Sequence, residues 1–253
     1  MTALFQRAIS RLGFPLIVLQ WAGNLLALLL AAAWLQIPDS HAWQFAFSML
    51  SGGALAIGFC WLQVVTFSRI RLSTTPATIW LRIVGFALVA ALWFLLAQWI
   101  SACIQAIPDY AYLWNSKLSP GIRITFSPAH LIVGLTILLN VLIWALTALL
   151  LPIAIALSTD GLRQPSWKDA RRPYRRILYW FAVFVFSILS TQLSSALVSW
   201  KPGKTVSGEV ISVVVRLAIV WTTDILLWCL LLVFTAAWME REPAAVIEIP
   251  APS

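Results

Sequence analysis

Six long apolar runs separated by short polar segments dominate the pattern of this chain. Each run holds about 20 residues or more, enough to cross a hydrocarbon core of about 30 Å at a rise of about 1.5 Å per residue. We therefore predict an all-α bundle of six transmembrane helices, with spans at residues 14–35, 43–67, 83–103, 131–157, 177–198 and 210–238. We expect residues 1–242 to form a single transmembrane domain and residues 243–253 to form a flexible C-terminal tail.

Composition indicates the same class of protein. Hydrophobic residues make up 61% of the chain and charged residues only 10%, with a mean hydropathy of +0.90. Soluble domains carry about 25% charged residues, so this chain belongs among polytopic membrane proteins. A signal peptide usually has an apolar segment of about 7–15 residues. The first run is longer than that, and we interpret it as a retained helix.

The positive charge lies mainly in one loop. The net charge is +8, and the most basic segment, between the fourth and fifth runs, contains Arg163, Lys168, Arg171, Arg172, Arg175 and Arg176. A short loop this basic stays on the cytoplasmic side of a bilayer. We expect it to bind anionic lipid headgroups. No nucleic-acid partner is expected, because the basic residues are not spread over a water-exposed face.

The other basic residues agree with an orientation in which both termini are cytoplasmic. Of the 17 Lys and Arg residues, twelve fall on the predicted cytoplasmic side and four outside. Arg216 lies near the outer boundary, where we expect its side chain to reach back towards the surface. The expected location is a plasma membrane of the bacterial inner-membrane type. Within the basic loop, Ser166 and Asp169 have the S-x-x-D spacing of a capped short helix.

Three local patterns predict features of the helices and their connections. Small residues recur between Ser51 and Gly58, which predicts a seam where another helix packs closely. Pro152 predicts a break near the cytoplasmic end of the fourth helix. Residues 104–127, which contain several aromatic residues, are predicted to form a long outer connection at the headgroup level.

Asp224 is the strongest candidate for a functional residue. It lies inside the sixth apolar run, and a carboxylate at that depth normally faces the bundle interior, a cavity or a partner. Asn24, Gln98, Asn140 and Gln192 lie at comparable depths in four other runs. If their faces converge, they form a polar layer around Asp224 that opens outward. The alternative is that the amides make isolated interhelical hydrogen bonds of about 0.6 kcal/mol each.

No enzyme motif is recognisable in the sequence. Neither H-E-x-x-H nor G-x-S-x-G occurs, although these are common signatures of metalloproteases and serine hydrolases. Cys60, Cys103 and Cys229 stand alone without C-x-x-C spacing. His41 and His130 are isolated imidazoles, so we predict no metal site, and no cofactor is expected.

Three functional hypotheses remain open at this point. The first is a non-catalytic accessory or assembly subunit that binds membrane components, including anionic lipids and other membrane subunits or a second copy of itself. The second is a permease for ions or small solutes that uses the layer around Asp224. The third, a membrane-embedded lipid enzyme, is disfavoured because neither nucleophile, base nor metal is evident.

Overall fold

The computed structural model describes residues 6, 9–10, 12–38, 40–71, 77–125, 127–162, 166–199 and 206–240. All regular structure in these residues is helical. Six of the described helices are long and apolar enough to cross a membrane, which confirms the predicted all-α class and the number of helices of spanning length. They are α1 (Phe14–Trp34), α2 (Ala42–Ile70), α3 (Ile79–Lys117), α4 (Pro128–Asp160), α5 (Ile177–Ser199) and α6 (Val206–Met239). The predicted tail, 243–253, lies outside the described residues.

Consecutive helices pack as three hairpins, α1 with α2, α3 with α4, and α5 with α6. Helix α4 also contacts α2, α5 and α6, so it is the centre of the bundle. We call the end where α2, α4 and α6 finish the basic end. The core is concentrated there: every residue of α4 from Ala154 to Asp160 is buried, and much of α6 from Leu231 to Met239 is buried against it.

The structure corrects the predicted outer connection at 104–127. Helix α3 continues to Lys117 and is 39 residues long, about 58 Å at the usual rise. A short helix, Pro120–Thr125, follows it. Pro108 lies inside α3 and does not end it. Ile107, just before the proline, and Ala111, three residues after it, are both buried against the rest of the protein. Tertiary packing here outweighs the cost of proline in a helix.

The structure also corrects the predicted break at Pro152. Helix α4 runs through this residue to Asp160. Proline has no N–H to donate to the carbonyl four residues earlier, which is that of Ala148. The hydroxyl of Tyr179 donates to the Ala148 carbonyl at 2.6 Å, and the hydroxyl of Tyr174 donates to the next carbonyl, Leu149. Two tyrosines from the following segment therefore hold the backbone where the helix lacks a donor.

The small-residue seam predicted on α2 is largely unpartnered. A Cβ added at Gly53 or Gly58 would meet no atom within 4 Å, although Gly52 lies against the Trp34 ring. Close helix approach occurs elsewhere, at Gly23 beside Leu62 and at Gly85 beside Leu157. The sequence shows where small residues lie along α2, but it does not show which side of α2 packs against the other helices.

Candidate functional site

Asp224 pairs with two serines on the neighbouring helix. Its Oδ1 accepts a hydrogen bond from Ser190 Oγ at 2.7 Å, and its Oδ2 accepts one from Ser194 Oγ at 3.3 Å. Ser190 and Ser194 are four residues apart and thus share one face of α5. We call these three residues the aspartate site. These two hydrogen bonds join α5 to α6 within the bundle.

Asn24 belongs to a different polar group, between α1 and α2. Its Nδ2 donates to Gln20 Oε1 at 2.8 Å, and its Oδ1 accepts a long hydrogen bond from Gln63 Nε2 at 3.4 Å. Gln20 is fully buried and donates to Thr66 Oγ1. We call Gln20, Asn24, Gln63 and Thr66 the amide cluster. It is an interhelical hydrogen-bond network of the kind that holds membrane helices together.

The remaining predicted site residues lie apart from both groups. Asn140 donates to the carbonyl of Thr136 in its own helix at 2.8 Å. Gln98 on α3 and Gln192 on α5 are exposed. In the described part of the chain, the five predicted residues therefore do not form one hydrogen-bonded group. Two residues before Asp224, Thr222 Oγ1 accepts a hydrogen bond from Trp21 Nε1 of α1 at 3.1 Å.

A buried ion network occupies the basic end. Arg71, at the end of α2, lies 3.2 Å from Asp160 Oδ2 and 3.1 Å from Asp169 Oδ2, and it donates to Thr159 Oγ1 at 3.0 Å. Arg172 pairs with Asp169 Oδ1 at 3.2 Å and donates to the carbonyl of Met239 at 3.1 Å. We call Arg71, Thr159, Asp160, Asp169 and Arg172 the ion network. It joins the ends of α2, α4 and α6 to the loop that follows α4.

Sequence reasoning missed this ion network. Arg71 and Arg172 were interpreted as orienting charges, Asp169 was assigned with Ser166 to the cap of a short helix, and Asp160 was given no partner. The signal was available in those two acids, because a carboxylate at the end of an apolar helix needs a nearby cation. The short helix Trp167–Ala170 forms, but the Ser166 side chain does not cap it. Instead the Ser166 N–H donates to Asp160 Oδ2 at 3.3 Å.

Other members of the predicted basic loop remain at the surface. Lys168, Arg171 and Arg175 are exposed, and we call these three residues the basic edge. Arg176 is half-buried, whereas Arg163 lies outside the described residues. The two acids of the ion network are balanced by its two arginines. They therefore do not cancel the positive charge of the basic edge.

Arg216 stabilises the far end of α5. It is only 6% exposed and donates to the carbonyls of Leu197 at 3.1 Å and Val198 at 3.4 Å. The last carbonyls of a helix have no partner within the helix and carry partial negative charge. The side chain points back along α6 to the carbonyl of Ser212, which agrees with the predicted direction, but it is buried as a cap on a neighbouring helix instead of extending to a surface.

An apolar groove lies between α4 and α5. Its volume is about 350 Å³, and its lining includes Val141, Trp144, Ala145, Trp180, Phe181 and Phe184. The rings of Trp144 and Phe184 meet edge to face with centroids 5.3 Å apart. Ile177, the first residue of α5, also lines the groove, so the groove follows the first two turns of α5 from the basic end.

Tyr174 lies beside this groove in the loop. Trp180 Nε1, within the groove lining, donates to the Tyr174 carbonyl at 3.1 Å. Burial raises the pKa of Tyr174 to about 12. Its hydroxyl thus stays protonated at neutral pH and remains a donor to the Leu149 carbonyl.

Among the described residues, no group of three or more His, Cys, Asp or Glu side chains is close enough to hold a metal ion. His41 precedes α2, and His130 Nδ1 lies 3.0 Å from Ser127 Oγ at the start of α4. Comparisons with known protein families, with characterised proteins and with solved structures gave no significant match.

Proposed function

We propose that this protein is a non-catalytic multi-pass membrane subunit that binds other membrane components, foremost anionic lipids, at its basic end. In this proposal both termini and the basic edge face the cytoplasm of a plasma membrane of the bacterial inner-membrane type. The arrangement agrees with the excess of Lys and Arg in loops that remain cytoplasmic.

The observation that carries the proposal is that the polar side chains of the bundle are bonded in three sets, each between a different group of helices. The aspartate site, the amide cluster and the ion network each join helices through hydrogen bonds or ion pairs. A permeation path needs polar groups that converge on a shared cavity. Separate interhelical contacts instead support a scaffold whose function lies on its surface.

The surface offers two features that suit such a subunit. The basic edge attracts anionic headgroups with about 1 kcal/mol per Lys or Arg near the membrane surface. Ala54 and Gly58, four residues apart on one side of α2, are both exposed, and the space around Gly58 is open. This side has the small residues that let a second membrane helix approach. Lipid and protein partners therefore have separate surfaces available to them.

The proposal is tested by lipid enrichment around the full chain. The protein is reconstituted in nanodiscs containing phosphatidylglycerol and phosphatidylcholine, and the lipids retained on extraction are measured by native mass spectrometry. We expect phosphatidylglycerol to be enriched, and we expect the triple variant Lys168→Gln, Arg171→Gln, Arg175→Gln to lose most of this enrichment. Raising the salt from about 0.1 M to about 1 M should act in the same direction, because it shortens the screening length from about 10 Å to about 3 Å.

A matched variant, Lys117→Gln with Arg123→Gln, removes two exposed basic residues from the opposite end of the bundle. It should retain the enrichment of phosphatidylglycerol. Equal enrichment in the triple variant and the unchanged protein would refute the proposed role of the basic edge.

A second candidate function is a permease centred on Asp224. The observation that favours it is that Asp224 is only half-buried, although it lies well within a membrane span. The test starts from a variant in which Cys60, Cys103 and Cys229 are replaced by alanine, and adds Asp224→Cys. Labelling of this cysteine by an impermeant thiol reagent from the outer side would support the permease. If the aspartate site is only an interhelical contact, the folded protein remains unlabelled.

A further inference from the structure

We propose that the groove between α4 and α5 holds one acyl chain of an anionic phospholipid, with the headgroup at the basic edge beside Arg175. This inference rests on the proposed function, since it assigns a place to the lipid that the basic end attracts. It goes further in naming the part of the lipid that is recognised inside the bilayer span.

The environment of the groove requires an apolar occupant. In the hydrocarbon core, water does not fill such a space, and an empty groove forfeits the dispersion contacts of its lining. A volume of about 350 Å³ lies within the range of small-molecule sites in proteins. Ala145 and Ala148 leave room between the larger rings of Trp144, Trp180 and Phe184. A flexible hydrocarbon chain can follow this shape.

A second helix fits the groove poorly. Helix contacts in membranes use small residues that let two backbones approach. Here the exposed rim is aromatic, with Phe181 62% and Phe184 40% exposed, and these rings hold a helix backbone away. The open small-residue face lies instead on α2, at Ala54 and Gly58. An acyl chain is therefore a better occupant of the groove than a second copy of this protein.

The charge next to the groove selects an anionic headgroup. Ile177 lines the groove, and Arg175 lies two residues before it. Asp160 and Asp169 are already paired with Arg71 and Arg172 in the ion network. The three residues of the basic edge therefore present a net positive charge to the headgroup region.

The test uses photo-crosslinking of the full chain in phosphatidylcholine nanodiscs. The probe is phosphatidylglycerol with a diazirine in one acyl chain, present as a minor component, and adducts are mapped by peptide mass spectrometry. We expect adducts concentrated at residues 141–148 and 177–184. The variant Ala145→Phe fills the groove and should lower adducts there at least ten-fold. The matched control Ala91→Phe, at an exposed position of α3, should leave them unchanged.

A second pair of variants tests the headgroup. Arg175→Gln should lower the adduct yield about five-fold, the factor that corresponds to about 1 kcal/mol for one basic residue near the surface. Arg69→Gln also removes an exposed arginine at the basic end, but away from the groove, and should have little effect. A phosphatidylcholine probe with the same diazirine should react several-fold less at the groove.

Four outcomes would overturn the inference. Adducts that map elsewhere, while phosphatidylglycerol remains enriched, would refute the groove and leave the proposed function in place. Equal reaction of both probes would refute the preference for anionic lipid. In a separate arm, a photo-crosslinking phenylalanine analogue replaces Phe181 or Phe184, and crosslinks from it to a second protein chain would show that a second copy occupies the groove. Absence of any enrichment would refute the proposed lipid-binding function together with this site.

Discussion

Arg71 and Asp160 carry opposite charges in a densely packed part of the protein. Their side chains are 9% and 1% exposed, and Arg71 also reaches Asp169. Asp160 is the last residue of α4, where the partial charge of the helix end is negative and a carboxylate is unfavourable. Arg71 offsets this repulsion, and the Ser166 N–H adds a hydrogen bond to the same carboxylate.

Removing the cation should be strongly destabilising. We expect Arg71→Leu to lower the free energy of unfolding by about 3–5 kcal/mol, because Asp160 is left buried without its charged partner. The measurement is unfolding by denaturing detergent or by heat in a mild detergent. Arg69→Leu, two residues earlier and exposed, should change stability by no more than about 0.5 kcal/mol.

The double variant Arg71→Leu, Asp160→Leu checks the physical reason for that loss. If an unpaired buried charge is the cause, removing both partners should recover much of the stability. A double variant as unstable as Arg71→Leu alone would show that the loss comes from packing.

Individual side chains mark the limit of what this sequence could predict. Asp224 was recognisable from its depth in an apolar run. Its partners, Ser190 and Ser194, were not, because a hydrogen bond across two helices depends on how each helix is rotated about its axis. Helix rotation also explains the wrong neighbours predicted for Asn24. We predicted contacts with residues of α3 to α6, whereas Asn24 bonds to Gln20 in its own helix and to Gln63 of α2.

At the scale of helices, α4 depends on the segment that follows it. Pro152 leaves the Ala148 carbonyl without its helical donor, and the hydroxyl of Tyr179 supplies one from the start of α5. Tyr179 is fully buried and its ring packs against that of Trp238, with centroids 5.7 Å apart. One side chain thus connects the backbone of α4 with the packed ends of α5 and α6.

We predict coupling between Tyr179 and Pro152. Tyr179→Phe keeps the ring but removes the hydroxyl, which should cost about 1–3 kcal/mol because a buried carbonyl loses its donor. In a Pro152→Ala background the helix regains the N–H at position 152, and the same change should cost less than about 1 kcal/mol. A double-mutant cycle of unfolding free energies measures the difference. An equal cost in both backgrounds would refute this account of the proline site.

Gly161 ends α4 in a conformation that other residues rarely adopt. Its φ is +75° and its ψ is 176°, and an added Cβ would lie 2.8 Å from the Cβ of Ala77. We expect Gly161→Ala to cost at least about 1–3 kcal/mol from backbone strain, with the steric contact adding to this value. The measurement is again the unfolding free energy in detergent.

The same substitution elsewhere in the chain should have the opposite sign. Gly58→Ala lies in the interior of α2 with open space around it, and alanine is favoured over glycine in a helix by about 0.5–1 kcal/mol. If both variants lower stability by similar amounts, the special conformation of Gly161 is not the cause.

Helix positions followed from the sequence more readily than helix ends did. Apolar runs of sufficient length predicted all six long helices, because the thickness of a bilayer fixes the minimum span. The extension of α3 beyond residue 103 did not follow from hydropathy. It depends on buried Ile107 and Ala111 in a polar and aromatic stretch, and burial of single residues there is a tertiary property.

At the scale of the whole molecule, packing and charge are both greatest at one end. The buried part of α4, the ion network and the aromatic contacts around Tyr179 lie at the basic end. Many apolar side chains along the helices are exposed, among them Leu50, Phe94 and Leu95. Such a surface is suited to lipid, so the bundle is expected to depend on a bilayer or detergent for its solubility.

The orientation of the bundle can be tested with cysteines at its two ends. Lys117 is exposed at the end of α3, and Lys168 is exposed in the basic edge. In a background without native cysteines, we expect Lys117→Cys in intact cells to react with an impermeant thiol reagent. Lys168→Cys should react only after the membrane is permeabilised. The physical reason is that short basic loops remain on the cytoplasmic side.

The outcome also decides which leaflet supplies the lipid. If Lys168→Cys reacts in intact cells and Lys117→Cys does not, the bundle is inverted and the basic edge meets outer-leaflet headgroups. If both react from one side, α4, the long helix between the two positions, does not cross the membrane, and the groove between α4 and α5 cannot then follow a lipid chain into the bilayer. Labelling of Lys117→Cys alone places the groove beside the cytoplasmic leaflet, whose anionic lipids match the positive charge of the basic edge.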